Sequence, residues 1–533
     1  MLEDLNTTVV VVAAVLTLCS IVISYQYLHD PLASYPGPLL ARFSDGYGAY
    51  HALRKQLHVA TLKDHLKYGS VVRHGPNKLV FNTLTALRDI YHNERVTKAR
   101  LYEAVQESPG VHNIFNEVDR EKHRLKRKLV SPVVTERSMR LFEPTMTAQA
   151  DIFLKSLLAA AGGPVDLKER VQWLMFDIIS FLSFGYAMNL QTSAANRFLP
   201  RAIYRDMFRF NVTMQLAWLP RFYLQFPLNL LFLPLRWGFV SLLLKMIRLR
   251  SVRDKDDSRD FYSFVTSDSE DPTRAIQPND MWSEAIFFFI AGGDTTSTAI
   301  SATLYYLSKN QECYRKLADE IRSTFQEAEE IKGPTLAGCN YLRACIYESM
   351  RLSPPAPGTL WRQLAPEEER NGPPLVVDGV VVPAGTAVGI NVYALHHNER
   401  YFPNPFKFDP ERWMPGPAAS VSYGGDTAHQ TTMCETFIPF ALGSRSCAGK
   451  AMAYLETSMV IAKTLWYFDF ETAPGKLGET GTRVMKLPGY DESVEEFEMF
   501  DALTATHNGP YLVFEPREPE CRKLDVAAPR VSK

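Results

Sequence analysis

The 24 residues from Leu5 to Leu28 carry no charged side chain. A helix of that length extends about 36 Å, enough to cross a hydrocarbon core of about 30 Å. Its almost entirely aliphatic part, Val9 to Ile23, would be too short alone, so Thr7, Thr8, Ser24 and Tyr25 are expected near the two interfaces. A cleaved signal peptide wants a basic start and small residues at its exit. Here the start carries Glu3 and Asp4, and the exit reads Tyr25-Gln26-Tyr27. Arg42 is the first Lys or Arg in the chain, with Arg54 and Lys55 after it, which places the bulk of the chain in the cytosol. The reading is an uncleaved single-pass transmembrane helix within residues 1–30. Asn6-Thr7-Thr8 fits a glycosylation sequon on the far side, close to the membrane.

Residues 31–42 hold Pro31 and Tyr35-Pro36-Gly37-Pro38. Proline fixes φ and stops a helix, so this stretch reads as a stiff connector to a body over 43–533. Apolar types at 46% and charged types at 22% are those of a globular protein. With 58 basic and 59 acidic side chains the net charge is −1, so no global field attracts a nucleic-acid backbone. Seven cysteines, an odd number without a CxxC pair, argue against a disulfide framework or a zinc site.

A second apolar region, Phe222 to Leu249, is broken by Pro227, Pro234, Arg236 and Lys245. It reads as a helical hairpin, packed as core or dipping into a membrane surface. Arg248 to Asp260 mixes both charge signs, as a solvated loop does. Helical periodicity marks Asn113–Val130, Val165–Phe184, Asn279–Asn310, Gln311–Ala328 and Asn340–Leu352. Strand signals are short and late: Leu375–Val382, Ala387–Val392 and Tyr511–Phe514, with turns at Asp378-Gly379 and Pro383-Ala384-Gly385. The fold class expected is mainly α with a small β region.

The strongest chemical signal is Phe440-Ala441-Leu442-Gly443-Ser444-Arg445-Ser446-Cys447-Ala448-Gly449. Small residues flank Cys447, so a bulky planar group can approach the sulfur. Arg445 and the start of a helix over Lys450–Trp466 would favour a thiolate. On these residues alone, a metal-ligating thiolate and a buried cysteine in a glycine-rich turn both stand.

The segment resembles the haem-binding loop of the cytochrome P-450 superfamily, Phe-x-x-Gly-x-Arg-x-Cys-x-Gly, at every fixed position, Phe440 and Gly443 included. Three further motifs follow the family's order: Ala291-Gly292-Gly293-Asp294-Thr295-Thr296, Glu348-Ser349-Met350-Arg351, and Phe408-Asp409-Pro410-Glu411-Arg412-Trp413. The resemblance implies the cytochrome P-450 fold and haem b, with Cys447 as the axial iron ligand. It implies a structural triad of Glu348, Arg351 and Arg412. It also suggests His123, Arg127, Arg362 and Arg445 as partners of the haem propionates, although His123 stands where many relatives have Trp.

In the long helix Gly292-Gly293 would leave room for a ligand against the backbone. Thr295 bonded back to a carbonyl would kink the helix. By resemblance, Thr295 and Asp294 relay protons to dioxygen, which favours a monooxygenase. Arg124, Lys126, Arg127 and Lys128 form either a solvated face or a docking surface for an acidic reductase. Leu101–Phe115, Phe208–Trp218, Pro354–Trp361 and Asp501–Thr506 fall in the family's substrate-recognition regions, and Phe287 and Ala291 should look toward the distal pocket. No GxGxxG is present, so electrons from NADPH must come through a separate reductase.

The function implied is insertion of one oxygen atom of O2 into a small lipophilic molecule at the endoplasmic reticulum membrane. Residues 29–38 are similar to fungal microsomal members, many of which tailor terpenoids, polyketides or alkaloids. Two alternatives keep Cys447: a haem-thiolate isomerase or dehydratase needing no reductase, and a non-catalytic haem carrier.

Overall fold

In the computed structural model the described residues are 28–106, 110–160, 162–217, 226–252, 260–261, 278–414 and 427–526, with 10, 13, 14, 17 and 24. Most of the uncharged N-terminal run lies outside them. Among the described residues no helix is long and apolar enough to cross a membrane.

The described helices used below are, in chain order, α1 Leu39–Phe43, α2 Arg120–Val130, α3 Glu136–Leu158, α4 Leu167–Phe184, α5 Leu199–Gln215, α6 Phe226–Val252, α7 Pro278–Lys309, α8 Gln311–Thr324, α9 Asn340–Leu352 and α10 Lys450–Tyr467. The 32-residue α7 is the axis of the body. It buries Phe289, Ile290, Ile300, Leu304 and Leu307 and packs against α4, α8, α9 and α10. Helix α4 is capped at both ends. The Asp166 carboxylate accepts from Lys168 N, and Gly185 at φ +58° closes the C-terminus.

The strands are short. β1 Val71–Gly75, β2 Lys78–Phe81, β3 Val96–Lys98, β4 Arg362–Leu364 and β7 Ala387–Ile390 form one sheet in the order β1-β2-β7-β4-β3. It frames a second, smaller apolar core around Leu79, Phe81, Val388 and Ile390. β5 Leu375–Val377 and β6 Val380–Val382 make the expected hairpin, with Asp378 at φ +52° and Gly379 at φ +76° in its turn. Near the C-terminus β8 Met499–Ala502 and β9 Thr504–His507 form a second hairpin, and β10 Tyr511–Pro516 joins Pro164–Asp166 and Phe468–Thr472.

The architecture is mainly helical, as expected, with local corrections. The expected helix over 113–130 begins only at Arg120. Upstream, the Asn113 carboxamide accepts from Phe115 N (3.0 Å) and Asn116 N (3.1 Å), a side-chain turn that competes with the helix, and Asp119 then caps α2. Of the region read as a hairpin over 222–249, residues 222–225 lie outside the described residues and 226–249 belong to a single helix, α6, despite Pro227 and Pro234. Phe239, Leu243, Met246 and Ile247 repeat at helical spacing and are buried, while Trp237 and Leu249 are exposed.

The proline-rich stretch is fastened to the body. Leu32 is fully buried, and Asp30 pairs with Arg42 (2.9 Å) and Arg73 (2.5 Å). Arg73 N donates to Pro36 O at 2.8 Å, and a Cβ on Gly37 would lie 2.5 Å from Arg73 O. Only glycine permits that approach.

Candidate active site

The cysteine loop is shaped by its backbone. Cys447 N donates to Phe440 O at 2.8 Å, Ala441 sits at φ +57° and Gly443 at φ +68°. A side chain at Gly443 would meet Tyr91 O at 2.3 Å, so both conformation and space require glycine there. Helix α10 starts three residues after Cys447, whose side chain is accessible. Although the sulfur is reachable from one side, the protein packed around the loop desolvates it and pushes its thiol up, while the Gly449 N–H and the cations of Arg127 and Lys450 act the other way.

Four cations gather beside the loop. Arg445 donates to Glu117 O (2.6 Å) and Val118 O (3.1 Å), Arg127 to Ser446 O (2.6 Å), Arg362 to Trp361 O (2.9 Å), and Lys98 to Phe115 O. Among the described residues none of the four forms a salt bridge with a carboxylate. Burial and the Arg362 charge bring Arg445 down to about 10. Burial, with Arg362 and Arg445, puts Lys98 well below its usual value. His123 lies within the same field, and burial together with Arg445, Lys98, Arg127 and Arg362 drives it to about 3. With no anion beside it the His123 ring is neutral and can offer one N–H as a hydrogen-bond donor. Lys98 and Arg362 are buried and Arg127 and Arg445 half-buried; such a cluster of cations favours an anionic ligand, and the two carboxylates of a porphyrin fit this donor set. Lys98 was missed in the sequence, where it looks like an ordinary polar end of a strand.

The Glu348 carboxylate lies at the centre of the triad. It accepts from Arg351 Nε (2.9 Å) and Nη2 (2.8 Å), Arg412 Nε (3.0 Å), Asp409 N (3.0 Å) and Trp413 Nε1 (2.9 Å). Burial would raise its pKa, but Arg351 and Arg412 bring it below the usual value. Arg351 also ties down His396 O (2.9 Å) and Pro405 O (2.6 Å). Trp413 and the Asp409 backbone were not anticipated as partners.

On α7, Phe287, Ala291 and Thr295 are partly exposed at i, i+4 and i+8, whereas Phe289, Ile290 and Asp294 are buried. The three share one face of the helix. Phe115 stacks on Phe287 with centroids 5.5 Å apart, and Tyr102 meets Phe115 edge-on. Thr295 Oγ1 donates to Ala291 O at 2.7 Å, the expected back-bond, and keeps its lone pairs free to accept. The helix nevertheless runs on through this point.

Gly292 and Gly293 do not make room for a ligand. A Cβ on Gly292 would be 2.7 Å from Ile179 Cδ1 and one on Gly293 2.3 Å from Phe176 Cε1. They let α4 and α7 approach each other. Asp294 accepts from Thr504 Oγ1 (2.7 Å) and Gln172 Nε2 (3.3 Å). Burial raises its carboxyl pKa against those two bonds and the Lys168 charge.

A further acid was missed. Glu456, two turns into α10, is pushed up to about 8 by burial, with a hydrogen bond from Thr296 opposing the rise. It ties the helix that follows Cys447 to the residue after Thr295. The sequence signal, a single Glu in an apolar helix, is weak.

The family model for cytochrome P450 matches residues 46–485. The chain is 32% identical to cytochrome P450 monooxygenase apf7 of Gibberella fujikuroi, over 94% of this chain and 96% of that protein. It is 32% identical to cytochrome P450 monooxygenase poxM of Penicillium oxalicum (92% and 91% covered) and 32% to cytochrome P450 monooxygenase AKT7 of Alternaria alternata (95% and 97%).

Proposed function

The chain belongs to the cytochrome P450 family and is a haem-thiolate monooxygenase, and from that premise we propose how its residues divide the work and what it acts on. Cys447 is the iron ligand; Arg127, Arg362, Arg445, Lys98 and His123 hold the propionates. When bound, the haem supplies the redox chemistry that activates dioxygen. The protein supplies position and protons. Thr295 Oγ1, anchored to Ala291 O, keeps lone pairs able to accept, and the neighbouring Asp294 is a buried acid whose pKa burial raises. The overall balance is R–H + O2 + NADPH + H⁺ → R–OH + H2O + NADP⁺, with the electrons delivered by a separate reductase.

The substrate is a small lipophilic molecule, received among Phe115, Phe287 and Tyr102. The similarity to fungal monooxygenases supports a role in tailoring a secondary metabolite of the terpenoid, polyketide or alkaloid type. The uncharged run Leu5–Leu28 supports anchorage in the endoplasmic reticulum membrane with the body cytosolic.

The observation that carries the haem reading is the set of cations beside Cys447, Lys98 and Arg362 buried and Arg127 and Arg445 half-buried, none of them in a salt bridge with a carboxylate among the described residues. Its test is the reduced, carbon-monoxide-treated protein. The far-red-shifted Soret band of a thiolate-ligated haem is expected, and Cys447→Ser should abolish it. A globin-like band in the unaltered protein would overturn the assignment. Membranes containing the enzyme and its reductase should add one oxygen mass to a lipophilic extract only with NADPH; conversion that persists without NADPH would assign a redox-neutral isomerase or dehydratase instead.

A further inference from the structure

Asp294 is 5% exposed, and no Lys, Arg or His among the described residues forms a salt bridge with it. Lys168 acts on it only at longer range, and Gln172 provides one bond, at 3.3 Å. The shorter bond, 2.7 Å to Oδ2, comes from Thr504, the first residue of β9, in a hairpin far away in sequence.

That hairpin is fixed from several sides. Ala505 N donates to Pro355 O (2.8 Å), Thr298 Oγ1 to Ala505 O (3.0 Å), Asp501 N to Lys55 O (2.9 Å) and Asn211 Nδ2 to Asp501 Oδ1 (3.1 Å). Between Ala502 and Thr504, Leu503 stands at φ +81°, a strained conformation for a side chain with a Cβ. Leu503 N donates to Asp501 Oδ1 at 3.3 Å, which helps hold it there. The surroundings determine the place of Thr504 Oγ1, and through it the rotamer of Asp294.

We propose that Thr504 is a positioning residue for proton delivery: its hydroxyl holds the Asp294 carboxyl in the orientation from which the proton reaches Thr295. This inference rests on the role given above to Asp294 and Thr295. The Thr504 hydroxyl is bonded to Asp294 itself. It acts through Asp294 and makes the acid's geometry depend on the C-terminal hairpin.

The test compares Thr504→Val, which keeps the shape and loses the donor, with Thr504→Ser, which restores it. Asp294→Asn is the reference. The first readout is the infrared carbonyl stretch of protonated Asp294, identified by its absence in Asp294→Asn. Thr504 donates to the charged form, so its loss should move the titration of this band up by about one pH unit in Thr504→Val and leave it in place in Thr504→Ser.

The second readout uses only reductase, NADPH and dioxygen. Reduction of O2 to water consumes two NADPH per O2, whereas release as H2O2 consumes one. Thr504→Val should raise the H2O2 released per NADPH about threefold or more, and Thr504→Ser should return it to the parent value. A Thr504→Val protein with parental thermal stability, band position and H2O2 yield overturns the proposal. If the parent protein consumes no NADPH with its reductase, the monooxygenase reading falls instead, and the infrared band still decides the Thr504 bond.

Discussion

Arg412 Nε lies 3.0 Å from Glu348 Oε1 across 64 positions of sequence, and neither side chain has any exposure to solvent. Arg412→Ala should therefore remove one of the two cations that balance the buried Glu348 carboxylate and cost about 3–5 kcal/mol, read as a fall in denaturant midpoint together with loss of haem on purification. The pH sign follows from the lowered Glu348 pKa. Its contribution is present above the unfolded carboxyl value and is lost as pH falls through the folded one.

Burial holds His396 at about 3, and its Nε2 accepts from Ile438 N at 2.9 Å, so the folded ring is neutral. The unfolded ring takes up a proton below about 6.5. Stability should then fall as pH drops below about 6.5 toward 3, by up to about 1.4 kcal/mol per pH unit from this residue. Chemical unfolding at a series of pH values measures the slope, and an equal slope in His396→Asn would refute the assignment.

Gly293→Ala should destabilise the fold by about 1–3 kcal/mol, because its Cβ would lie 2.3 Å from the Phe176 ring. Combining it with Phe176→Leu should recover part of the loss in thermal unfolding. No recovery would mean that the clash lies elsewhere.

Thr295→Ala removes the hydroxyl that donates to Ala291 O. Product formation should fall by about a hundredfold while NADPH consumption continues and H2O2 accumulates. Unchanged product per NADPH would remove Thr295 from the proton path.

Removing residues 1–28 should shift much of the protein from the membrane pellet to the supernatant without changing its unfolding temperature. Removing residues 1–37 should also lower that temperature, because it deletes Asp30 and buried Leu32. Equal unfolding temperatures for the two truncations would show that the connector adds nothing to stability.

Long periodic helices were legible in the sequence. The pattern over Asn340–Leu352 coincides with α9, and that over 279–310 with α7. The strands β1 and β2 were not, since each is only four or five residues and β2 is buried throughout, so polar alternation never appears. The cysteine loop and the Glu348–Arg351–Arg412 set could be read because their residue types recur in a family pattern. Lys98, Gln172 and Thr504 could not. Their importance comes from tertiary neighbours as much as 210 positions away. The glycine pair of α7 was recognised as a special place but given the wrong reason: the same small size serves ligand access and helix packing, and only the neighbour decides between them.

Asp30 and Pro36 are both bonded to Arg73, and Arg73 belongs to β1. The upstream segment therefore leaves the body from one fixed spot, with little slack in the leash. The membrane anchor proposed above would then hold the body by that one spot and limit which flank it presents. Shortening or lengthening the chain ahead of residue 28 would alter its standoff from whatever it is moored to, while the orientation at the mooring would be inherited from Arg73.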